Sequence, residues 1–388
     1  MRILIASTLK RPLGPQITAS RSQVVYQLVI QLLKRGHSVS ILAPQNSTVK
    51  GATIIPVTPK GVAEMPSFEN QHYAETAFLT IMARQIQKLA LNFDVIHNHT
   101  YPEYINLLIE HTLPIPMVTT LHAPVTPQLD EVLSYFPDSN IVTQSHVNQK
   151  LFKIARPKWV VHNGVDQTLF TYSPQKRDYV LWVGRLGQSK DSHGEFIDGK
   201  GVRDAISVAK MTNKKLLMLG NVESSEFYEK DVRPHLSSNI QWISPLNKEQ
   251  KLTQKDVCKI MQAAKVLLMS TKFEEAFGLV VAEAMACGTP VVTYAKGSIP
   301  EIMKDGETGY VVNYSKQDGS GKWNIEETGP NGLAQGVEKI YTMTDSAYNR
   351  MQKLARERIE KYFTLDTMVT NYEQLYKKLI LNKNSNRT

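Results

Sequence analysis

The chain has 388 residues, of which 42% are hydrophobic and 21% charged, and its net charge is +9. At ~100–200 residues per domain, this length predicts two globular domains, each with its own core. The ordinary composition excludes a disordered chain, apart from the polar end at residues 382–388. The sequence has no secretory signal, no apolar run of the ~18 residues that span a bilayer, and two cysteines, Cys258 and Cys287, which predict reduced thiols. We therefore expect a cytoplasmic location.

Basic residues are concentrated at the start of the chain. Residues 1–63 contain no Asp or Glu, and their cations are Arg2, Lys10, Arg11, Arg21, Lys34, Arg35, Lys50 and Lys60. Such a segment attracts phosphates, anionic lipid or nucleic acid, unless it is an ordinary solvated surface. Nucleic acid is not expected, because zinc-finger spacing, RNP-like runs and basic-region heptads are missing from the sequence. Peripheral contact with a membrane surface stays open.

The first half alternates short apolar runs with longer amphipathic stretches. Residues 23–34 predict a helix that Gly36 ends, and the predicted strands are residues 3–6, 39–42, 94–97, 117–120 and 140–142. Fully apolar strands that alternate with helices indicate a parallel sheet covered on both faces.

The alternation stops at the polar stretch 171–178 and then begins again. We interpret residues 171–178 as an interdomain linker. The later predicted strands are residues 179–183, 215–219, 240–243, 266–269 and 291–293. The expected fold class is α/β, with two Rossmann-like doubly wound domains at residues 1–170 and 179–364 that face each other across a cleft. The last helix, 367–381, is expected to pack back on the first domain.

The segment 273–290 carries the strongest functional pattern. It follows a predicted strand, and a helix is expected to start near Gly278 and to end at Gly288. Gly278 allows close approach to the backbone, and free N–H groups at a helix start suit a diphosphate. Glu275 precedes this start and Glu283 follows it by about one turn. Two acids around a phosphate site match the hydroxyls at either end of a nucleotide sugar, although two solvated surface acids are the alternative.

Cations that could balance a diphosphate follow another strand. Arg185 follows residues 179–183 after one glycine, Gly184, and its guanidinium could fork onto phosphate oxygens there, while Lys200 supplies a second cation. A structural ion pair is the alternative for Arg185. Residues 194–201 resemble a P-loop, but Gly201 stands where Ser or Thr should hold Mg²⁺. A nicotinamide site is also not expected, because no Gly-x-Gly-x-x-Gly follows the first strand.

Histidines end two strands of the first half. His97 and His99 close one strand and His122 follows the next. We expect no metal there, because an acidic or thiol partner is not evident in the sequence. His122 is the better candidate for a donor or acceptor contact, with a structural histidine as the alternative.

Together these motifs resemble the family 4 retaining glycosyltransferases of the GT-B fold. The likeness extends along most of the chain, through segments 34–39, 94–97, 162–166, 183–186, 275–283, 297–302 and 305–309. Each segment is short, but their order is specific to that family. The resemblance implies metal-independent, retaining hexosyl transfer from a nucleotide-diphosphate sugar to an acceptor hydroxyl, with no cofactor besides this co-substrate. Carbohydrate, lipid-linked and small-molecule acceptors are all compatible with it.

The resemblance also implies residue roles. Glu283 would bind the ribose, Arg185 and Lys200 would hold the diphosphate, and His122 would lie near an outer hydroxyl of the donor sugar. The implied donor-sugar contacts are Glu275 and the backbone groups of Phe277, Gly278, Leu279 and Val280.

Two departures from the family pattern affect these roles. The paired glycines before the first helix appear as Ala19 and Ser20, which leaves Gly14 as a substitute. Residues 187–199 look inserted between Arg185 and Lys200, which makes Lys190 a rival for the phosphate role. An epimerase or hydrolase on the same fold and a catalytically silent nucleotide-sugar binder are the alternative functions.

Overall fold

The computed structural model describes residues 1–17, 19–246, 252–319 and 321–385, which form two compact units. The first unit contains Met1–Gly164 and the segment from Leu365 onward, and the second contains Val165–Thr364. The chain therefore passes between the units at Gly164 and again at Leu365, whereas the sequence prediction placed the domains at 1–170 and 179–364.

The strands all belong to parallel sheets. In chain order they are β1 (Arg2–Ala6), β2 (Ser38–Pro44), β3 (Thr53–Thr58), β4 (Val95–Asn98), β5 (Met117–Thr120), β6 (Asn140–Thr143), β7 (Trp159–Val160), β8 (Arg177–Val183), β9 (Leu216–Leu219), β10 (Ile240–Trp242), β11 (Ala264–Met269), β12 (Val291–Tyr294) and β13 (Gly309–Val312).

Helices connect most of these strands. In chain order they are α1 (Ser20–Lys34), α2 (Gln71–Leu89), α3 (Leu107–Glu110), α4 (Pro127–Ser134), α5 (His146–Leu151), α6 (Val202–Thr212), α7 (Ser225–Asp231), α8 (Gln254–Ala263), α9 (Leu279–Ala286), α10 (Ile299–Ile302), α11 (Gly329–Tyr341), α12 (Asp345–Tyr362) and α13 (Leu365–Ser385). Short 3₁₀ turns occur at Val62–Glu64, Ala90–Asn92, Glu103–Ile105 and Arg233–His235.

The two units repeat one strand order. The first sheet runs β3-β2-β1-β4-β5-β6-β7 and the second runs β10-β9-β8-β11-β12-β13. Both follow the doubly wound pattern, in which the order reverses between the first strand and the fourth. The reversal lies between β1 and β4 in the first unit and between β8 and β11 in the second. Ligands bind beyond the carboxyl ends of strands at such points. The predicted α/β class with parallel sheets is confirmed.

Helix α13 completes the first unit. Glu373 accepts hydrogen bonds from Arg35 at 2.7 Å and pairs with His37 at 2.6 Å, while the Tyr376 hydroxyl lies 2.6 Å from His97 Nδ1. The sequence predicted this helix at 367–381. The predicted disorder from residue 382 is wrong for residues 382–385, which continue the helix, and residues 386–388 lie outside the described residues.

The stretch predicted as a linker, 171–178, lies inside the second unit. The Gln262 amide donates to the Thr171 carbonyl at 2.8 Å, and Lys176 Nζ donates to the Gln262 carbonyl at 2.8 Å. These contacts tie the stretch to α8. Its polar composition therefore reflects backbone and side-chain hydrogen bonding to this helix, and not a free connection.

Across the described ranges, the helices are each too short or too polar to cross a bilayer.

Candidate active site

The start of α9 presents backbone donors. Gly278 precedes the helix with φ +85°, a left-handed conformation that favours glycine, and it has no side chain to cap the helix. Its carbonyl accepts from the Val281 and Ala282 N–H groups. The N–H groups of Leu279 and Val280 donate to no other described residue, and the first turn has no acid. Such a terminus is suited to an anion. The predicted start near Gly278 and stop at Gly288 are confirmed.

An ion pair stands in the loop before this helix. The Lys200 amine contacts the Glu275 carboxylate and lies 4.5 Å from the centre of the Phe273 ring. Thr271 Oγ1 donates to Glu275 Oε1 at 3.2 Å. The side chains of Lys200 and Glu275 are 21% and 13% exposed, so the pair is accessible without being fully solvated. The structure thus brings together two residues that the sequence predicted for one site.

The backbone around Lys200 is anchored to the end of β11. Ser270 Oγ donates to the Gly201 carbonyl at 2.6 Å, and the Trp182 indole N–H donates to the Lys200 carbonyl at 3.3 Å. Gly201 has φ +74°, and a Cβ there would overlap the Ser270 carbonyl oxygen. Because only glycine fits this close approach, Gly201 determines where the Lys200 side chain leaves the backbone.

A turn after β12 supports the other side of the pair. Ser298 donates from its N–H to the Glu275 carbonyl at 3.0 Å and from its hydroxyl to the Phe277 carbonyl at 2.6 Å. The Gly297 N–H donates to the Glu274 carboxylate, and a Cβ on Gly297 would overlap the Glu275 backbone. Sequence reasoning noticed residues 297–302 only as part of the family likeness. The sequence feature that could have indicated this turn is the adjacent pair Gly297 and Ser298, which follows a buried strand.

Glu283 is a buried acid in an apolar helix. It is 7% exposed, and its neighbours Ala282 and Ala284 are fully buried. Carboxylates are seldom this buried unless they have partners. It lies about one turn into α9, as the sequence predicted.

Arg185 follows β8 at the carboxyl edge of the second sheet. Its guanidinium lies 3.3 Å from Glu223, and its side chain is 62% exposed, which makes this a weak surface pair. A Cβ on the preceding Gly184 would lie 3.1 Å from Lys200 Cβ, so the chain at Arg185 runs close to Lys200.

Lys190 contacts Glu226 of α7 and Phe196, and not Glu275. Its amine lies 2.9 Å from Glu226 and 4.4 Å from the centre of the Phe196 ring, and its backbone pairs with Phe196 in an antiparallel bridge. In the P-loop-like stretch, Asp198 accepts from the Val202 and Arg203 N–H groups at 2.9 Å each. An acid therefore already satisfies the start of α6, unlike the start of α9. The geometry favours Lys200 over Lys190 for the phosphate role.

The first unit contains a linked pair of histidines. The Gln144 amide nitrogen lies 2.7 Å from His122 Nδ1, and His122 Nε2 lies 2.8 Å from His99 Nδ1. Because an amide nitrogen only donates, the proton of His122 is on Nε2, and His99 then carries its own proton on Nε2. The His122 N–H lies 3.4 Å from Glu103 Oε1. The predicted sugar contact of His122 stays a prediction.

His97 and Gly14 have clear structural surroundings. His97 lies between Tyr376 and the Thr120 hydroxyl, which is 2.8 Å from Nε2, and its ring centre lies 3.8 Å from that of His99. The described residues include no group of three or more His, Cys, Asp or Glu side chains arranged to hold a metal ion. Gly14 lies beside Thr48, and a Cβ on it would lie 3.1 Å from Thr48 Oγ1.

The histidines predict a pH dependence of stability. Burial lowers the pKa of His99 to about 3, with a contribution from Arg21, and burial also holds the pKa values of His97 and His122 well below their usual range. Below pH ~6.5 the unfolded chain binds protons that the folded chain does not. As the pH is lowered from ~6.5 toward the folded pKa of each such histidine, the free energy of unfolding should therefore fall by ~1.4 kcal/mol per pH unit for that histidine.

Urea unfolding at pH 7 and pH 5 measures this slope. His99→Gln should reduce it, because one histidine no longer titrates in the unfolded chain. The lowered pKa of Glu373, whose burial is outweighed by hydrogen bonds from His37 and Arg35, affects stability only below pH ~4.5 and does not confuse the measurement. An equal slope in the wild type and the variant would contradict the prediction.

Two family models match consecutive parts of the chain. The model described as Glycosyltransferase Family 4 matches residues 22–169, and the model described as Glycosyl transferases group 1 matches residues 172–358. Between them they span nearly all of the second unit, and in the first unit they leave out residues 1–21 and the segment from Leu365 onward.

Curated relatives match over most of their length. The N-acetyl-alpha-D-glucosaminyl L-malate synthase of Bacillus anthracis is 26% identical over 381 residues, which cover 89% of this chain and 90% of the relative. The D-inositol 3-phosphate glycosyltransferase of Mycolicibacterium smegmatis is 24% identical over 367 residues, which cover 80% of each chain.

Solved structures share the fold across the whole chain. A sucrose-phosphate synthase from Thermosynechococcus elongatus superposes with a TM-score of 0.76 at 16% identity, covering 98% of this chain and 99% of that one. Anabaena Alr3699/HepE in complex with UDP-glucose superposes with a TM-score of 0.66 at 14% identity, covering 97% and 100%. At such identities the likeness shows the fold alone. The matched family models and the shared fold confirm the resemblance seen in the sequence: the chain is a family 4 glycosyltransferase with the GT-B fold.

Proposed function

We propose that this glycosyltransferase moves a hexosyl group from a nucleotide-diphosphate sugar to an acceptor hydroxyl, with retention of anomeric configuration and without a metal ion. The observation that carries the proposal is the Lys200–Glu275 pair beside the uncapped start of α9. The Lys200 amine and the N–H groups at the start of α9 would contact a phosphate, and the neighbouring Glu275 carboxylate would contact the hydroxyls of the sugar joined to it.

The charges of the second unit support diphosphate binding without a metal. Lys200 and the positive end of the α9 dipole would stabilise the negative charge that develops as the diphosphate leaves. Arg185 would add a guanidinium after exchanging its exposed contact with Glu223 for phosphate oxygens. Glu275 would accept hydrogen bonds from sugar hydroxyls, and Glu283 from the ribose.

The reaction would need no protein nucleophile. The bond between the anomeric carbon and the diphosphate oxygen breaks while the acceptor hydroxyl attacks from the same face. The departing phosphate oxygen takes the hydroxyl proton, so that a glycoside and a nucleoside diphosphate are formed. The protein then contributes orientation and electrostatic stabilisation.

Relatives support the donor class and suggest acceptors to test. The solved structure of Anabaena Alr3699/HepE contains UDP-glucose, and the names of the two curated relatives refer to L-malate and to inositol 3-phosphate. A nucleotide-sugar donor is therefore the first to test here, with malate, inositol phosphate and lipid-linked acceptors.

A donor screen that measures released nucleoside diphosphate tests the proposal. Release should depend on an acceptor, should persist in EDTA, and should yield a product with the anomeric configuration of the donor, as read by NMR. Equal release without any acceptor would indicate a hydrolase, binding without release would indicate a silent binder, and inversion would refute the mechanism.

Glu283→Ala should mainly weaken donor binding. Loss of hydrogen bonds from ribose hydroxyls to a carboxylate is expected to raise the donor Kd ~10–100-fold. Calorimetric titration with the donor found by the screen measures this. Glu226→Ala, which removes the same charge from an exposed side chain of α7, is the control and should leave the Kd unchanged. Unchanged affinity in the Glu283 variant would refute the ribose role.

A further inference from the structure

Arg21 occupies an unusual position at the start of α1. It is the second residue of the helix, its guanidinium lies 4.4 Å from the centre of the Tyr101 ring, and its nearest acid is Glu103 at 3.6 Å. That distance is beyond a hydrogen bond, so the ion pair leaves the guanidinium donors unused. The Arg21 side chain is 21% exposed, and the Glu103 side chain is 2% exposed.

None of the Arg21 donors finds an acceptor among the described residues. Its Nε is enclosed and unpartnered, although a guanidinium carries five N–H donors. Other half-buried arginines of the chain differ. Arg356 donates to the Phe170 and Ala286 carbonyls, and Arg35 donates to Glu373. The enclosed Nε–H has lost its hydration and has no acceptor in return, which is typical of a group that a ligand completes.

His99 offers a second donor close by. His99 is fully buried, and its Nε2 has no hydrogen-bond partner. The Gln144–His122–His99 chain described above leaves the His99 proton on that Nε2. Arg21 is close enough to lower the pKa of His99, after the larger effect of burial. Glu103 lies 3.6 Å from Arg21 and 3.4 Å from the backbone nitrogen of His122, whose ring contacts His99.

The start of α1 adds further donors at the same place. Ala19 precedes the helix and supplies no capping side chain, and the first turn contains no acid. Helix α1 follows β1 and His99 follows β4, so Arg21 and His99 come together where the strand order of the first sheet reverses. This is the position at which doubly wound sheets bind ligands.

We propose that Arg21, the His99 Nε2–H and the start of α1 form a binding site for an anionic group, a phosphate or carboxylate, carried by the acceptor substrate. The assignment of the anion to the acceptor rests on the proposed transferase function, whereas the anion site itself does not depend on it. Tyr101, which is 59% exposed, forms an aromatic wall beside the site. The Arg21 guanidinium turns from Glu103 toward the anion, since no hydrogen bond holds it.

The charge balance assigns this anion to the acceptor and not to the donor. Lys200, Arg185 and the start of α9 already balance the diphosphate in the second unit. Arg21 is an additional cation in the first unit, and its ion-pair partner Glu103 lies at 3.6 Å, beyond hydrogen-bond distance. An acceptor that carries negative charge supplies the hydrogen-bond acceptors that Glu103 does not.

Titration with inorganic phosphate tests the anion site directly. The Lys200→Met background weakens the proposed diphosphate site of the second unit, and the comparison with and without Arg21 then isolates the contribution of the first unit. Arg21→Met in that background should weaken phosphate binding ~10–100-fold, as expected for hydrogen bonds to a charged group. Arg2→Met is the matched control, because Arg2 lies at the opposite end of β1, and it should leave binding unchanged. Absent binding in Lys200→Met, or equal binding with and without Arg21, overturns the proposal.

Kinetics separate the possible sources of the anion. With the donor from the screen, Arg21→Met should raise the acceptor KM at least ~10-fold for phosphorylated or carboxylated acceptors and not for their neutral analogues. Vesicles of phosphatidylinositol, compared with soluble inositol phosphate, show whether the anion belongs to a lipid headgroup. A rise in the donor Kd of Arg21→Met with unchanged acceptor KM would place the anion on the donor and overturn the assignment. If no donor is turned over, the proposed function fails, while the phosphate titration still decides the anion site.

Discussion

Lys200→Ala should lower kcat ~10²–10³-fold, which corresponds to ~2.7–4 kcal/mol of transition-state stabilisation. The physical reason is the loss of a compact cation beside the α9 start, where negative charge develops on the departing diphosphate. Glu275 would then lose its contact with Lys200, so the orientation of the sugar should also suffer. Steady-state release of nucleoside diphosphate at saturating donor and acceptor measures the effect.

Lys190→Ala is the matched control for this result. Lys190 lies in the inserted segment and pairs with Glu226 on α7, away from Glu275. We expect its kcat to stay within about twofold of wild type, since exposed ion pairs contribute little. A Lys200 variant that retains wild-type kcat would remove Lys200 from the mechanism, and a Lys190 variant that loses kcat would show that the inserted segment takes part in it.

Gly201→Ala should both destabilise the second unit and reduce turnover. A Cβ on Gly201 would overlap the Ser270 carbonyl oxygen and lie 2.9 Å from the Ser270 Cβ, while φ +74° adds left-handed strain. Strain of ~1–2 kcal/mol and crowding of ~1–3 kcal/mol should together lower the free energy of unfolding by ~2–5 kcal/mol. Relief of the overlap would shift Lys200, so kcat should fall as well.

Gly194→Ala separates strain from crowding. Gly194 has φ +80°, and a Cβ there meets nothing within 4 Å. The variant should therefore lose only the ~1–2 kcal/mol of left-handed strain, and its kcat should be unchanged. Urea unfolding and turnover measured on both variants test the comparison. Equal stability losses would show that the close approach to Ser270 has no energetic consequence.

The sequence was informative where residue type and position follow from one physical cause. Buried parallel strands are apolar on both faces, which is why residues 3–6 and 266–269 could be assigned from hydrophobicity alone. Gly278 and Gly288 both have positive φ, which only glycine adopts readily, so they marked the bounds of α9. Glu283 was recognisable because an acid is rare within an apolar helix.

The sequence was less informative where the outcome depends on tertiary contacts. The polar stretch 171–178 looked like a linker, because its hydrogen bonds to α8 are invisible without the fold. Lys190 and Lys200 could not be separated, since each is a lysine after a glycine-rich turn, and only the contacts with Glu226 and Glu275 distinguish them. The isolation of Arg21 from acceptors was equally hidden, because it is a property of surroundings and not of residue type.

The second unit begins and ends at one place. The Val165 N–H donates to the Phe363 carbonyl at 2.8 Å, and Val165 pairs with Thr364 in a parallel bridge. Residues 165–364 are therefore an insertion whose ends already meet, and closure of such ends costs little chain entropy. The excised fragment should fold by itself and bind nucleotide, and the same two neighbouring ends offer a site at which circular permutation would leave both sheets intact.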